Sequence, residues 1–251
     1  MPQPALSVVV PAYNEAAGIV ATVEAIAARV AELGEGWELV LVDNASTDGT
    51  AELVERIGDE RIRVLVNDVN RGKGFSVRRG MLAAGGELRL HCDADCAPSL
   101  ASLPAMLAAL DEGADVVIGS RLAPGARVGR RQPLRRRIAG RTFVELSRLA
   151  LGEPTHDLFC GFKLWRADAA VAAYSRLRLD GWVFDAEALA LARALGYRLR
   201  EIGIVWSDRE GSRLSMPRVV VPVLRDLLAA RAHIRREAER AAPEPAVDPA
   251  G

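Results

Sequence analysis

Two aspartates two residues apart, Asp93 and Asp95 in "RLHCDADCAP", follow a short apolar run and lie between two cysteines. Two kinds of site could use them. Beyond a strand end, with Pro98 turning the chain, carboxylates at i and i+2 can converge on one cation. Hard oxygen donors from only two side chains suit Mg2+ or Mn2+, with water and a substrate phosphate completing the shell. A thiolate zinc site needs four tetrahedral ligands at familiar spacing. His91, Cys92, Cys96 and the distant Cys160 do not provide that pattern. The carboxylate reading therefore takes precedence: a divalent ion gripping a diphosphate.

A second candidate is "NRGKG", Asn70 to Gly74, which opens a helix-like stretch. Its glycines let the backbone approach a ligand, while Lys73 and a helix N-terminus favour anions. It lacks P-loop spacing, and no GxGxxG follows the first strand. Alone it reads equally well as a glycine turn with a solvated lysine.

These residues need elements to hold them. "LSVVV" ends at Pro11, "WELVLVD" at Asp43, "RIRVLVN" at Asn67, "ELRLHC" at Asp93 and "DVVIGS" at Arg121, with helix-like stretches between. Continuous apolar strands separated by helices imply a parallel sheet covered on both faces. Tyr13, Asn14, Glu15, Asp43, Asn70, Lys73, Asp93, Asp95 and Arg121 all follow strand carboxyl ends, the edge where open parallel sheets bind ligands. The second half is less regular: an arginine-rich segment, "FCGFKLW", a helix from about Ala186, a strand "YRLREIGIVW" and a final helix.

Composition narrows the class. The 251 residues suffice for one buried domain, expected over 1–237, with a nucleotide-binding half to about 121 and an acceptor half from 122. The proline-punctuated tail 238–251 is expected to be disordered. Lysine plus arginine number 33, as do aspartate plus glutamate, a balance that argues against a general nucleic-acid surface, although the charge is unevenly spread. Three cysteines suggest reduced thiols and a cytoplasmic setting. The N-terminus lacks the basic and apolar regions of a signal peptide, and no apolar run approaches the ~20 residues of a membrane span. Peripheral contact with the inner face of a membrane stays open.

The motifs together are more specific than any one. "VVVPAYNE", "VDNASTDGT", "NRGKGFSVRRGM", "DADC" and "VIGSR" resemble, in order and spacing, family-2 glycosyltransferases with the GT-A fold. "HDLFCGFKLWRADAA", "GWVFDAEALALARALGYRLREIGIVW" and "REGSRLS" resemble the dolichyl-phosphate β-glucosyltransferase and mannose synthase group, more closely the former. The resemblance runs from about Leu6 to Arg231. It implies an α/β fold of the Rossmann-like GT-A type, with a mostly parallel central sheet, flanking helices and a C-terminal amphipathic helix. By the same resemblance, Pro11, Ala12, Tyr13 and Glu15 line base and ribose, and Asp43 holds the base edge. Asn70, Gly72 and Lys73 flank the nucleotide, Ala94 lies beside it, Asp93 and Asp95 take metal and diphosphate, and Arg121 lies near the phosphates. Duller roles exist: Tyr13 as packing, Glu15 as an acid favouring a helix's first turn.

The implied reaction is inverting transfer of one sugar, from UDP-glucose with Mg2+ or Mn2+, to a polyprenyl phosphate. "QPLRR" at Gln132 is not the QxxRW of processive synthases, which argues for a single transfer. Charge building on the leaving diphosphate is the difficult part, and a divalent ion and Arg121 would stabilise it. A hydroxyl acceptor also needs a general base, for which Asp157 is the candidate. A lipid phosphate, with a second pKa near ~6 by analogy with phosphoserine, does not. In that case Asp157 positions Lys163 or an arginine. Asp185 has a weaker claim, since capping the helix from Ala186 explains it equally well.

Close relatives often read "DTQCGFK" where this chain has Leu158 and Phe159, which puts the acceptor pocket in question. A soluble hydroxyl acceptor, such as a secondary metabolite or glycan, is therefore the rival reading. A nucleotide-sugar-binding protein without turnover is a third, opposed by Asp43, Asp93 and Asp95. The segment Arg121 to Arg141 holds eight arginines and no acid. It reads as a cradle for an anionic acceptor or an anionic membrane, with Arg131 and Arg135 as contacts beside Lys163. Arg209 and Arg213 are expected to close over the phosphates. In the last helix, Val220, Val223, Leu224, Leu227, Leu228 and Ile234 share one side, expected to face the domain, while its arginine-rich continuation could rest on lipid headgroups. Base, sugar and oligomeric state stay open.

Overall fold

Strand alternation sends the apolar residues to both sides of one sheet. In β1 (Leu6–Ala12), Val8 and Val10 serve one core and Val9 the other, all fully buried. β2 (Trp37–Asp43) divides Leu39 and Leu41 from Val40 and Val42 in the same way. A strand buried on both faces has to be apolar throughout, so both read as continuous runs. The structure is a computed structural model that describes residues 4–34, 36–95, 97–129, 134–206 and 220–241.

β3 (Ile62–Val66), β4 (Leu88–Cys92), β5 (Val116–Ser120), β7 (Phe162–Arg166) and β8 (Leu199–Gly203) complete a seven-stranded sheet in the order β3-β2-β1-β4-β7-β5-β8. The run from β3 to β4 is parallel, as is the β5–β8 pair. β7 runs antiparallel to both β4 and β5, dividing the two parallel parts. The expected parallel sheet thus holds for the nucleotide half, and "GFKLWR" adds a reversed strand. Its lysine interrupts the apolar run that signals a buried strand.

One core packs under α1 (Ile19–Ala31), α2 (Thr50–Glu55) and α4 (Leu103–Asp111), with a 3-10 turn at Ala97–Ser102. The other packs under α3 (Lys73–Ala83), α6 (Ala167–Tyr174), α7 (Phe184–Ala194) and α8 (Val220–Ala241), with Phe143 of α5 (Leu134–Leu151) against it. α7 is buried from Phe184 to Ala192 because α5, α6 and α8 all pack on it.

Three expectations change. The single strand "YRLREIGIVW" breaks after Gly203: β9 (Val205–Trp206) leaves the large sheet to pair with β6 (Arg127–Val128). α8 continues through Ala241, so the expected tail from 238 begins inside a helix. Leu228 is exposed while Leu227, Ala230, His233 and Ile234 face inward. The inward stripe of α8 is therefore rotated from the expected one, and buried His233 joins it by bonding the Arg176 carbonyl at 2.7 Å. The side chains of Val220, Val223 and Leu224 lie outside the described residues. Among the described residues, no helix is long and apolar enough to cross a membrane.

Candidate active site

β1 and β2 end side by side, Ala12 paired with Asp43, and the loops beyond them are stitched together. Asn14, at φ 54°, donates its backbone N–H to Ser46 Oγ at 2.9 Å and accepts from the Thr47 N–H at 2.9 Å. The Glu15 N–H reaches Thr50 Oγ1 at 3.0 Å and that of Ala16 reaches Asp48 at 3.0 Å. Glu15 stands outside α1, which begins at Ile19, so a first-turn role does not apply to it. Tyr13 stands half exposed just beyond β1.

Asp43 is buried at the floor. Its Oδ2 accepts the Ser46 N–H at 2.9 Å, while Oδ1 has no hydrogen-bond partner among the described residues. A buried carboxylate oxygen left unpaired is costly, and a donor from a ligand is the usual remedy. An imide or amide N–H of a nucleotide base is such a donor.

Asn67, Asn44 and Asn70 form an amide relay beside it. Asn67 Nδ2 donates to Asn44 Oδ1 at 3.0 Å, and Asn44 Nδ2 to Asn70 Oδ1 at 2.8 Å. Asn70 Oδ1 also accepts the Gly72 N–H at 3.1 Å. Asn70 thus shapes the "NRGKG" turn with its side-chain oxygen. Gly72, at φ 105°, is the residue before α3, and a Cβ there would sit 2.4 Å from the Asp180 carbonyl oxygen. That carbonyl accepts the N–H groups of Gly74 and Phe75 at 2.8 and 3.3 Å. The start of α3 is therefore partly spent on the chain itself, and the anion affinity expected of its amides passes to Lys73.

Lys73 reaches Asp93, its Nζ donating to Oδ2 at 2.6 Å, with Oδ1 3.0 Å from Nε2 of fully buried His91. Burial alone would raise the Asp93 pKa, but the Lys73 charge and the His91 contact outweigh it and hold the carboxyl well below its ordinary range. An ionised Asp93 requires His91 to donate from Nε2. The other edge of the carboxylate rests on Gly161, where a Cβ would come 1.8 Å from Oδ2. The Asp93 N–H also donates to the Gly161 carbonyl at 2.8 Å. Asp95 is exposed beside it, and the Ala94 carbonyl accepts from Thr22 of α1 at 3.2 Å.

The two described thiols, Cys92 and Cys160, stay protonated. Burial, then the nearby carboxylates of Asp93 and Asp95, pushes the Cys92 thiol well up. Burial and the charge of Asp157 push Cys160 up to about 12. In the folded protein at pH 8, iodoacetamide should leave both unmodified until denaturant is added, as read by peptide mass spectrometry. Rapid native labelling of Cys160 would contradict this environment.

On the far side of β7, Asp157 clasps Arg121. Its Oδ2 accepts the Arg121 backbone N–H and Nε, each at 2.8 Å, and Oδ1 accepts Nη2 at 2.7 Å. Glu201 of β8 fixes the loop by accepting the N–H groups of His156 and Asp157, each at 3.0 Å. The Arg121 guanidinium also lies 5.3 Å from the Trp206 ring centroid. Of the two roles open to Asp157, the geometry matches positioning an arginine, because both carboxylate oxygens are engaged by Arg121.

Lys163 requires a correction. As a surface contact for an acceptor it would need an open face, but it is fully buried, donating to Asp185 Oδ1 and to the Cys160 carbonyl, each at 2.5 Å. Asp185 correspondingly caps nothing: α7 begins at Phe184 and has no side-chain cap bond. Removing one partner strands a buried charge. Lys163→Ala should cost about 3–5 kcal/mol in urea unfolding, while Lys163→Met with Asp185→Leu should recover most of it. Equal destabilisation of single and double variants would contradict this.

Leu158 is fully buried in the core and Phe159 stacks on Phe143, centroids 4.9 Å apart. Their departure from the polar pattern belongs to packing: Leu158 in the core on that side of the sheet, Phe159 against Phe143 of α5. Arg131, Arg209 and Arg213, the side chain of Arg135, and Cys96 lie outside the described residues. Sequence reasoning passed over Gly161, although it lay within a quoted motif, and weighed His91 only as a zinc ligand. Asn44 and Asn67 carried no signal beyond their places at strand ends.

Asp93 and Asp95 suit a hard divalent cation. They offer carboxylate oxygens at one strand end, and Asp93 already faces a positive charge in Lys73. The pair leaves most of a coordination shell to water and substrate, as expected where a diphosphate completes it.

Comparison with known proteins gives a consistent result. Residues 7–171 match the family described as Glycosyl transferase family 2. A dolichyl-phosphate β-glucosyltransferase of Saccharomyces cerevisiae is 30% identical, covering 90% of this chain and 74% of that protein. One from Drosophila melanogaster is 32% identical over 84% of this chain and 69% of its own. Among solved structures, glucosyl-3-phosphoglycerate synthase from Mycobacterium tuberculosis with Mg2+ and UDP superposes with a TM-score of 0.64 at 20% identity, covering 90% of this chain and 80% of that one. The same enzyme with Mn2+, UDP-glucose and phosphoglyceric acid gives 0.60 at 19%, over 92% and 80%.

Proposed function

This chain belongs to glycosyl transferase family 2, and from that premise we propose that it transfers one glucose from UDP-glucose to a polyprenyl phosphate. The observation that carries the donor half is Asp43 Oδ1, buried and without a partner among the described residues at the strand edge that also presents Asp93 and Asp95. The dolichyl-phosphate β-glucosyltransferases that align over most of the chain support the sugar and the acceptor.

Asp43 takes the base edge, with Pro11, Ala12, Tyr13 and Glu15 around base and ribose. Asn70 and Gly72 shape the turn from which Lys73 reaches the phosphates. Asp93 and Asp95 hold Mg2+ or Mn2+, which when bound neutralises charge on the leaving diphosphate. Lys73, paired with Asp93 at the same strand edge, would add its positive charge to that of the cation beside the diphosphate. Arg121, locked by Asp157, offers a pre-oriented guanidinium to the same developing charge, a contribution that needs no reorganisation during reaction. Asp157 then acts through Arg121, as suits an acceptor phosphate that is already ionised and needs no protein base.

The soluble-hydroxyl reading loses residue-level support, because Leu158 is a core residue and the half-buried Phe159 stacks on Phe143. The arginines of 121–141 and the exposed Arg225, Arg231, Arg235 and Arg236 of α8 suit anionic lipid headgroups, and peripheral membrane contact is part of the proposal. The test is label from UDP-[14C]glucose, with Mn2+ and a polyprenyl phosphate, counted in the organic phase. Label there supports the reading. Metal-dependent UDP release without organic label would replace the acceptor with a hydroxyl compound.

A further inference from the structure

Three of the four tryptophans are buried: Trp37, Trp165 and Trp206 are 4%, 0% and 9% exposed, whereas Trp182 is 51% exposed. A single exposed apolar side chain is ordinary. The place of this one is not. Lys73 Nζ lies 5.6 Å from the Trp182 ring centroid and 2.6 Å from Asp93. The indole therefore borders the point where metal and diphosphate charge would sit.

The loop that carries it is pinned. The Asp180 carbonyl accepts from Gly74 and Phe75, and the Asp180 carboxylate pairs with Arg71 at 3.0 Å and Arg78 at 2.9 Å. Buried Glu187 accepts the Leu179 N–H at 2.9 Å. Trp182 is thus presented to solvent by a segment tied to the same glycine turn that places Lys73.

We propose that Trp182 is the platform on which the donor's hexose ring rests, an inference that depends on the UDP-glucose reading above. The chemistry fits. A glucopyranose with equatorial hydroxyls exposes flat C–H faces, and an indole offers a broad apolar surface with one polar edge. Distance separates the sugar from the other apolar ligand of the reaction. The hexose is joined to the diphosphate through a single oxygen, so its ring lies immediately beside the phosphate charge. The prenyl chain begins one further phosphate away. An aromatic ring this near Lys73 meets the sugar first.

The test compares UDP and UDP-glucose binding, with Mn2+, by calorimetry for wild type, Trp182→Phe and Trp182→Ala. UDP should bind all three alike. Trp182→Ala should bind UDP-glucose about tenfold more weakly, equivalent to about 1.4 kcal/mol, and Trp182→Phe should keep most of the affinity. In the wild type, acrylamide quenching of tryptophan fluorescence should fall more with UDP-glucose than with UDP, a reading that needs no variant. Unchanged UDP-glucose affinity in Trp182→Ala, or equal quenching with the two ligands, would overturn the platform while leaving the donor reading intact. Wild-type protein that binds neither ligand would overturn the donor reading and this inference with it.

Discussion

Gly161→Ala is expected to cut sugar transfer by orders of magnitude in a protein that still folds. The added methyl would lie 1.8 Å from Asp93 Oδ2, far inside contact distance, so the carboxylate must leave its position. Leaving separates it from Lys73 and strands Nε2 of buried His91. A displaced Asp93 cannot share a cation with Asp95. The loss in kcat/KM should be about 10²–10³-fold, the scale of removing one well-placed electrostatic group from a transition state. Apparent Mn2+ affinity should fall with it, while circular dichroism stays that of the wild type. Steady-state transfer over a Mn2+ titration measures both. Full activity with unchanged metal dependence would mean that Asp93 is not where the ion binds.

Arg121→Ala carries the second large effect, and it acts in two ways. It removes the guanidinium offered to the diphosphate, and it leaves Asp157, whose side chain is 3% exposed, as an uncompensated buried charge. Stability should fall by about 3–5 kcal/mol. If Asp157 works only by holding Arg121, the two residues form one unit. Asp157→Asn should then lower kcat by roughly 10–100-fold, and the double variant should be no slower than Arg121→Ala alone. A double-mutant cycle on kcat decides this. Independent, multiplying losses would mean that Asp157 has a separate catalytic task, as a general base for a hydroxyl acceptor would.

Much of the donor half was legible from sequence, for a physical reason. Parallel strands buried on both faces must be apolar throughout, so any polar residue at their carboxyl ends stands out. Asp43 and the Asp93/Asp95 pair announced themselves in this way. The acceptor half hid its logic in long-range pairing. A lysine such as Lys163 reads as a surface residue until its partner, 22 positions on, is known to lie beneath it. The same lysine concealed β7, whose reversed direction the helix–strand alternation could not reveal. Leu158 and Phe159 looked like a changed pocket because nothing local shows that one is buried in the core and the other stacks on Phe143. Gly161 lay inside a quoted motif, but its role could not be read there, since its value lies in the space that it yields to Asp93.

The most direct test of the donor site is a titration of Mn2+ followed by electron paramagnetic resonance, with and without UDP, in wild type and Asp95→Ala. One Mn2+ per chain, bound tightly only in the presence of UDP and lost in the variant, is the expected result. UDP binding that is equally strong in EDTA, or Mn2+ binding that survives Asp95→Ala unchanged, would contradict a metal-diphosphate site at this strand edge.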